Sequence, residues 1–198
     1  MKIAIIGAGA LGSAIARNLA RNGIDASIAN SRGPQSLKAL AEELAPHIHA
    51  VSVTEAAQAD LVFVAVKWGR LSSALKGLGP WNGRIVVDAN NAVHAPSFEA
   101  VDLGGRASSE VLAEWAPGAR VVKAFNHLGA RVLEAEPQAN GGRRVLFLSG
   151  QDADAKKAVS DLIRRLGFAH IDLGGVDQGR ITQFPGGPLG ISNLVKLD

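Results

Sequence analysis

Cysteine is absent from the sequence, which excludes disulfide bonds, thiolate nucleophiles and cysteine-ligated metal sites. No apolar run reaches the roughly 18 residues that a membrane-spanning helix needs. Three glycines interrupt the apolar N-terminal stretch, and this pattern disfavours a secretory signal. We therefore expect a soluble, cytoplasmic protein that has no membrane partner.

A strong excess of one charge is also missing. The net charge is only +3 over 198 residues, whereas nucleic-acid binding is typically accompanied by a concentrated basic surface. We expect no nucleic-acid partner, although the small excess suits a pocket for anionic phosphates. His47 and His49 lie two residues apart, but no further residue is spaced to complete a metal site with them. The sequence therefore predicts no metal.

Glycine, by contrast, is placed in a recognisable pattern near the N terminus. The apolar segment 3–6 runs into Gly7, Gly9 and Gly12, and residues 13–20 follow with helical spacing. A strand, a G-x-G-x-x-G turn and a helix in this order form the dinucleotide-binding fingerprint. The predicted pyrophosphate site consists of Gly7, Ala8, Gly9, Ala10, Leu11 and Gly12.

The cofactor choice is predicted by the end of the second strand, residues 25–30. An NAD-binding chain typically has an acidic residue there, which holds the ribose hydroxyls. This chain has Asn30, Ser31 and Arg32 instead. A hydroxyl and a guanidinium can bind a 2′-phosphate through charge-assisted hydrogen bonds, so the sequence predicts NADP as the cofactor.

Strands and helices continue to alternate up to residue 127. The run 60–66 is continuously apolar, as in a parallel strand that is buried on both faces. This rhythm predicts an α/β fold, a Rossmann-type doubly wound parallel sheet with helices on both faces. We place the Rossmann domain at residues 1–127 and a small C-terminal β/α extension, packed on it, at residues 128–198.

Ligands of such sheets bind at the carboxyl ends of the strands. Several predicted cofactor-binding residues follow those ends, namely Val66, Lys67, Trp68, Ala89, Asn90, Asn91 and Ala124. Trp68 has two interpretations, since it either covers a ring of the cofactor or caps the core. Asn126 and His127 follow the sixth strand and are the candidate catalytic residues, while the alternative for His127 is a loop histidine without a catalytic role.

Three further expectations concern the second half of the chain. A helix over 108–115 is predicted to have Ser108 or Ser109 as its cap. Residues 137–143 are predicted to form a flexible turn, and residues 182–190 an irregular apolar tail. The apolar side chains from Ile181 onward and the aliphatic face of the last helix indicate a homodimer.

On the basis of these motifs, the chain resembles the NADPH-dependent reductases of coenzyme F420, a deazaflavin. The resemblance covers nearly the whole chain. It is carried by the glycine turn, the Ser31-Arg32 pair, Trp68, residues 85–87, Val121, Val122, Ala124, and the strand 145–149 leading into residues 150–152.

The resemblance implies hydride transfer between the nicotinamide of NADP(H) and the deazaflavin. It also implies that residues 8–11, Ser31 and Arg32 hold NADP, while residues 66–68, Asn91 and Ala124 line the nicotinamide side. The tail at 184–189 is shorter than the helical C terminus of archaeal members, so FMN or FAD are alternative acceptors. Two other functions stay open: reduction of a small imine or keto metabolite, and non-catalytic NADP(H) sensing.

Overall fold

Six short, mostly apolar segments form six parallel strands among residues 1–197. Most of their residues are buried, because helices cover both faces of the sheet. The computed structural model describes residues 1–197. The six strands are β1 (Ile3–Ile6), β2 (Ala26–Ala29), β3 (Ile48–Ala50), β4 (Leu61–Val64), β5 (Ile85–Asp88) and β6 (Arg120–Ala124).

The spatial order of these strands is β3-β2-β1-β4-β5-β6, and every neighbouring pair is parallel. This is the strand order of the Rossmann fold, in which the order reverses beside β1 and opens a crevice at the carboxyl ends of the strands. The predicted α/β fold class is thereby confirmed.

Among residues 1–197, seven α-helices accompany the sheet. They are α1 (Ala10–Arg21), α2 (Lys38–Glu43), α3 (Val53–Ala56), α4 (Trp68–Leu75), α5 (Ser108–Trp115), α6 (Ala130–Glu134) and α7 (Ala153–Arg165). Two 3-10 helices span Pro34–Leu37 and Val176–Thr182. None of these helices combines the length and the apolar character that crossing a membrane requires.

Side chains alternate between two core layers, as the pleat of a strand dictates. Ile5 and Phe63 point to the layer that contains α1 and α7. Ile6 and Val64 point to the opposite layer, where α4 and α5 pack around Trp81. Burial on both faces is the physical reason why β1 and β4, the strands that carry these side chains, are continuously apolar.

The C-terminal part extends the same sheet. Its strands are β7 (Gln138–Ala139), β8 (Gly142–Gly150), β9 (Ala169–Asp172) and β10 (Val195–Leu197). β8 runs antiparallel to β6, parallel to β9, and antiparallel to β7 and β10. The division into units at residue 127 stays a prediction.

Three expectations for the second half of the chain need correction. The segment 137–143 contains β7 and the start of β8 rather than only a turn. The predicted irregular tail begins at the end of a 3-10 helix and is followed by β10. The N-cap of α5 is Ala107, so neither Ser108 nor Ser109 caps that helix, because both hydroxyls bond to buried charged side chains instead.

Candidate functional site

The turn out of β1 requires glycine at residue 7. Gly7 has a φ of +111°, which side-chain-bearing residues rarely adopt. Its N–H donates to the carbonyl of Ala29 at 2.8 Å, so the turn is tied to the end of β2. A Cβ at this position would lie 2.2 Å from the carbonyl oxygen of Ala65. The turn therefore packs directly on the backbone that follows β4.

The other two glycines of the motif differ in their surroundings. A Cβ on Gly12 would lie 1.8 Å from the carbonyl oxygen of Gly7, so glycine at residue 12 lets α1 pack tightly on the turn. A Cβ on Gly9 would meet no atom within 4 Å. The surface over Gly9 is thus open to a ligand. Gly7 and Gly12, in contrast, are confined by backbone atoms of neighbouring segments.

This turn forms one end of a cleft of about 800 Å³. Eight of the predicted cofactor-binding residues line the cleft: Gly7, Ala8, Gly9, Asn30, Ser31, Arg32, Val66 and Lys67. They come from three separate segments, after β1, β2 and β4. The parallel sheet places the carboxyl ends of these strands side by side, and the cleft lies across them.

The turn after β2 is ordered by Asn30. Its Oδ1 accepts from the N–H of Arg32 at 2.8 Å and from the Ser36 hydroxyl at 3.1 Å. Its side chain is therefore used within the turn, as is common for asparagine. Ser31 and Arg32 are exposed on the cleft, where their polar groups are free to meet a ligand.

The first turn of α1 adds a site for negative charge beside this cleft. Ala10, Leu11 and Gly12 open the helix, no acidic residue occurs in its first turn, and the N-cap, Gly9, makes no side-chain cap hydrogen bond. Unpaired N–H groups and the helix dipole favour an anion at such an end. Together with the space above Gly9, this arrangement fits a dinucleotide diphosphate.

Four further predicted residues, Ala89, Asn90, Asn91 and Ala124, lie at the carboxyl ends of β5 and β6, outside the lining of the cleft. Ala89 and Ala124 are buried in the sheet. The Nδ2 of Asn90 donates to Asp88 Oδ1 at 2.8 Å, and its Oδ1 accepts from the Val66 N–H at 2.8 Å. Asn90 therefore links β5 to the loop that follows β4.

Beneath Asn90 lies a buried ion pair that the sequence analysis missed. Lys123 Nζ is 3.0 Å from Asp88 Oδ2, and the two side chains are 1% and 0% exposed. The ammonium also donates to the Asn90 carbonyl and, at 2.8 Å, to the Ser108 hydroxyl. Ser109 donates to the same Asp88 oxygen at 2.7 Å. Burial lowers the pKa of Lys123, and the Asp88 carboxylate opposes that effect.

Three acceptors around Lys123 match the three N–H bonds of an ammonium group. A buried pair is tolerated when its hydrogen bonds are satisfied in this way. The pair fixes the end of β5 relative to α5 and to β6. The only sequence signal was a lysine within β6 and an aspartate within β5. Nothing in their spacing predicts that they meet.

A second polar cluster joins this edge of the sheet to the C-terminal segment. Asn126 Nδ2 donates to Asn91 Oδ1 at 3.0 Å and to the Thr182 carbonyl at 2.9 Å. Asn91 Nδ2 donates to the Asn126 carbonyl at 2.8 Å, and the Phe184 N–H donates to Asn91 Oδ1 at 3.1 Å. The two predicted residues Asn91 and Asn126 are therefore brought together, and they hold residues 182–184 against the ends of β5 and β6.

The two aromatic candidates are both buried. Trp68 is the first residue of α4 and packs on Trp115 with ring centroids 5.4 Å apart, which favours the interpretation that it caps the core. His127 is 0% exposed, and its Nε2 lies 3.2 Å from the Val145 carbonyl oxygen. Burial lowers the pKa of His127 from 6.5 to about 4. This setting favours a neutral core histidine, and its catalytic role stays a prediction.

A family model for coenzyme F420-dependent NADP oxidoreductases matches residues 2–92. Among solved structures, the hypothetical protein SMa0349 from Sinorhizobium meliloti is 48% identical, with a TM-score of 0.94 and coverage of 99% of this chain and 96% of that one. A proposed F420-dependent NADP-reductase from Arthrobacter sp. FB24 is 30% identical, with a TM-score of 0.76 and coverage of 91% and 87%.

A curated relative is the metalloreductase STEAP3 of Rattus norvegicus, which is 31% identical over 181 residues. The matched region is 90% of this chain but 35% of that protein, so the chain spans about a third of the length of the curated relatives it matches. The likeness to the Arthrobacter protein extends through most of both chains and agrees with the family model. The chain belongs to the family of coenzyme F420-dependent NADP oxidoreductases.

Proposed function

We propose that this protein is an NADPH-dependent oxidoreductase that transfers a hydride between NADP(H) and a deazaflavin, coenzyme F420, or a flavin. The observation that carries the cofactor assignment is the exposed Ser31-Arg32 turn on the same cleft as Gly9. An acidic residue there would repel a ribose 2′-phosphate, whereas a hydroxyl and a guanidinium attract it. Family membership supports the hydride-transfer chemistry.

The residues of the cleft divide the binding of NADP between them. The turn at Gly9 and the first turn of α1 bind the diphosphate, and Ser31 and Arg32 bind the 2′-phosphate. Asn30 holds the Ser31-Arg32 turn in place through the Arg32 N–H. In this cleft, a bound NADPH would supply the hydride for reduction of the acceptor, and a solvent proton would balance the reaction.

The acceptor site belongs at the ends of β5 and β6 in this proposal. There, Asn91 and Asn126 hold the segment 182–184 against the ends of these strands. Holding two reactants in line is itself a large part of catalysis, and the cofactors carry the redox chemistry. The polar side chains at this edge are therefore assigned to orientation of the two reactants.

The acceptor in this proposal is either F420 or a flavin. The Arthrobacter protein is described as an F420-dependent reductase, and the rat protein as a metalloreductase. FMN and FAD are therefore tested beside F420, and a ferric complex is included as the final acceptor of a flavin-mediated reaction. The homodimer also remains a proposal, supported by the exposed tail residues Ile191, Leu194 and Leu197.

The test has two stages. Calorimetry first compares NADPH with NADH, and we expect the NADPH preference to fall by about tenfold or more in Arg32→Ala, because a charge-assisted hydrogen bond to phosphate is lost. Arg131→Ala is the matched control, since Arg131 is an exposed arginine on α6. Equal affinity of the wild type for NADH and NADPH contradicts the cofactor assignment.

In the second stage, NADPH oxidation is followed with F420, FMN, FAD and the ferric complex. Turnover with F420 or a flavin supports the proposal and names the acceptor. Tight NADPH binding without turnover on any acceptor, including small imines and keto acids, overturns the enzymatic assignment in favour of a redox sensor. Turnover with an imine or keto acid alone overturns the acceptor class.

A further inference from the structure

The cleft has a second wall that the sequence analysis did not assign to the cofactor. This second wall consists of α4 and the residues next to it. Arg70, Ser73 and Ala74 of that helix line the cleft, as do Lys67 just before it and Lys76 just after it. The cofactor would therefore lie between two basic segments that are distant in sequence.

The charge of this cleft has one sign. Its described lining contains Arg32, Lys67, Arg70 and Lys76 but no acidic residue. Among residues 1–197, no carboxylate forms an ion pair with any of these four cations. Many other basic side chains do have acidic partners, for example Arg17 with Glu43. The positive charge in the cleft is therefore available to an anionic ligand.

The position of Arg70 is unfavourable for the helix that carries it. Arg70 lies in the first turn of α4, which has no acidic residue. A positive charge at the N-terminal end of a helix opposes the helix dipole. Arg70 also has no side-chain partner among the described residues that would offset this cost, and its side chain is exposed at the cleft.

NADP carries more negative charge than one arginine neutralises. Its 2′-phosphate alone carries about −1.5 to −2 near neutral pH, as phosphate monoesters do. Arg32 supplies a single positive charge, and the α1 terminus is occupied with the diphosphate. We propose that Arg70 is a second ligand of the ribose 2′-phosphate, so that selectivity for NADP depends on both walls of the cleft. This inference rests on the proposed NADP-dependent function.

Arg70 is assigned this role ahead of the two neighbouring lysines. Lys67 directly follows Val66, whose side chain lies beside the turn at Gly7, so Lys67 belongs to the diphosphate end. Lys76 follows the last residue of α4, about six residues or 9 Å of helix rise beyond Arg70. Arginine also binds phosphate with two parallel N–H bonds, which lysine cannot do.

The experiment compares ligands that differ only in the 2′-phosphate. Dissociation constants of 2′,5′-ADP and 5′-AMP, and of NADPH and NADH, are measured by calorimetry for the wild type, Arg70→Ala, Arg32→Ala and Arg131→Ala. We expect Arg70→Ala to weaken 2′,5′-ADP and NADPH about tenfold and to change 5′-AMP and NADH less than about twofold. Arg70→Lys, which keeps the charge, should recover part of the loss.

Thermal unfolding of each variant checks that the exposed substitution leaves the fold intact. A loss shared equally by 2′,5′-ADP and 5′-AMP would assign Arg70 to the 5′-AMP part that both ligands contain instead of the 2′-phosphate, and no loss at all would assign it to solvent. Either result overturns the inference while Arg32→Ala still reports on NADP selectivity. If the wild type shows no preference for NADPH, the proposed function itself fails.

Discussion

His127 is a neutral imidazole within the core, and its burial has a measurable cost. Its ring packs edge-on against Phe147 at 4.9 Å, and Nδ1 has no hydrogen-bond partner among the described residues. Protonation would place a charge in this apolar setting, which is why its pKa falls to about 4. In the unfolded chain, His127 binds a proton near pH 6.5, its ordinary pKa. In the folded chain, it binds one only near pH 4.

The folded state should therefore lose stability as the pH falls from 6.5 towards 4, because the unfolded state binds more protons in that window. The loss due to His127 amounts to about 3 kcal/mol at the lower limit. Urea unfolding at several pH values measures it. His127→Gln should reduce the slope, and His49→Gln, an exposed histidine, is the control that should leave it unchanged.

Lys123 illustrates which residues of the site are hidden from sequence patterns. It occurs in the middle of an apolar strand, where lysine is unusual, but its partner Asp88 is 35 residues away. Whether such a lysine is buried depends on three acceptors, and these come from β5, the loop after it and α5. The sequence predicts Ser108 or Ser109 as a helix cap, because a serine at the start of a helix is typical of an N-cap. In the structure, both hydroxyls instead bond to buried charged side chains.

The junction of β1 and α1 contains two glycines with different roles: Gly12 permits close packing of α1, and Gly9 leaves room for a ligand. A methyl group on Gly9 meets open space, whereas one on Gly12 collides with the Gly7 carbonyl. Gly9→Ala should therefore keep the melting temperature within a few degrees and weaken NADPH binding, because the added methyl occupies the diphosphate position.

Gly12→Ala should lower both the melting temperature and NADPH affinity, because α1 must move away from β1. Calorimetry and thermal unfolding of the two variants measured side by side test this division. Gly23→Ala is an unsuitable control, since Gly23 has a positive φ of 64°. Gly69→Ala is the matched one, because a Cβ there meets no atom within 4 Å and its φ is not in the left-handed region. Full stability of Gly12→Ala would contradict the packing role.

The start of helix α7 is determined by a local signal. Asp152 accepts from the Ala155 N–H at 2.7 Å, as expected for an N-cap aspartate. By contrast, the short helix α6 and strand β10 carry no strong local pattern. They form because Asn18 of α1 donates to the Leu133 carbonyl and because β10 finds an open edge of β8.

The whole sheet should unfold as one unit, since β8 pairs with β6 along residues 148–150. One core layer also contains side chains from both halves of the chain, including Ile5, Phe63 and Phe168. A shared core makes partial unfolding unfavourable. We expect a single cooperative transition.

Tryptophan fluorescence and far-UV circular dichroism together test whether unfolding is a single cooperative transition. Trp68, Trp81 and Trp115 all lie in residues 1–127 and pack in or against one core layer, whereas circular dichroism also reports α7. Coincident urea midpoints, both shifted upward by NADPH, are expected. A separate dichroism transition that fluorescence does not show would mean that the C-terminal part unfolds independently.

The sequence by itself determined the strand rhythm, the glycine turn and the Ser31-Arg32 pair. These are local features, because periodicity and turn chemistry act over a few residues. Only the tertiary structure decided that α4 lines the same cleft as the Ser31-Arg32 turn, that Lys123 meets Asp88, and that Asn91 and Asn126 hold the C-terminal segment. Such contacts join residues far apart in the chain, and they exist because the sheet order brings the strand ends to one edge.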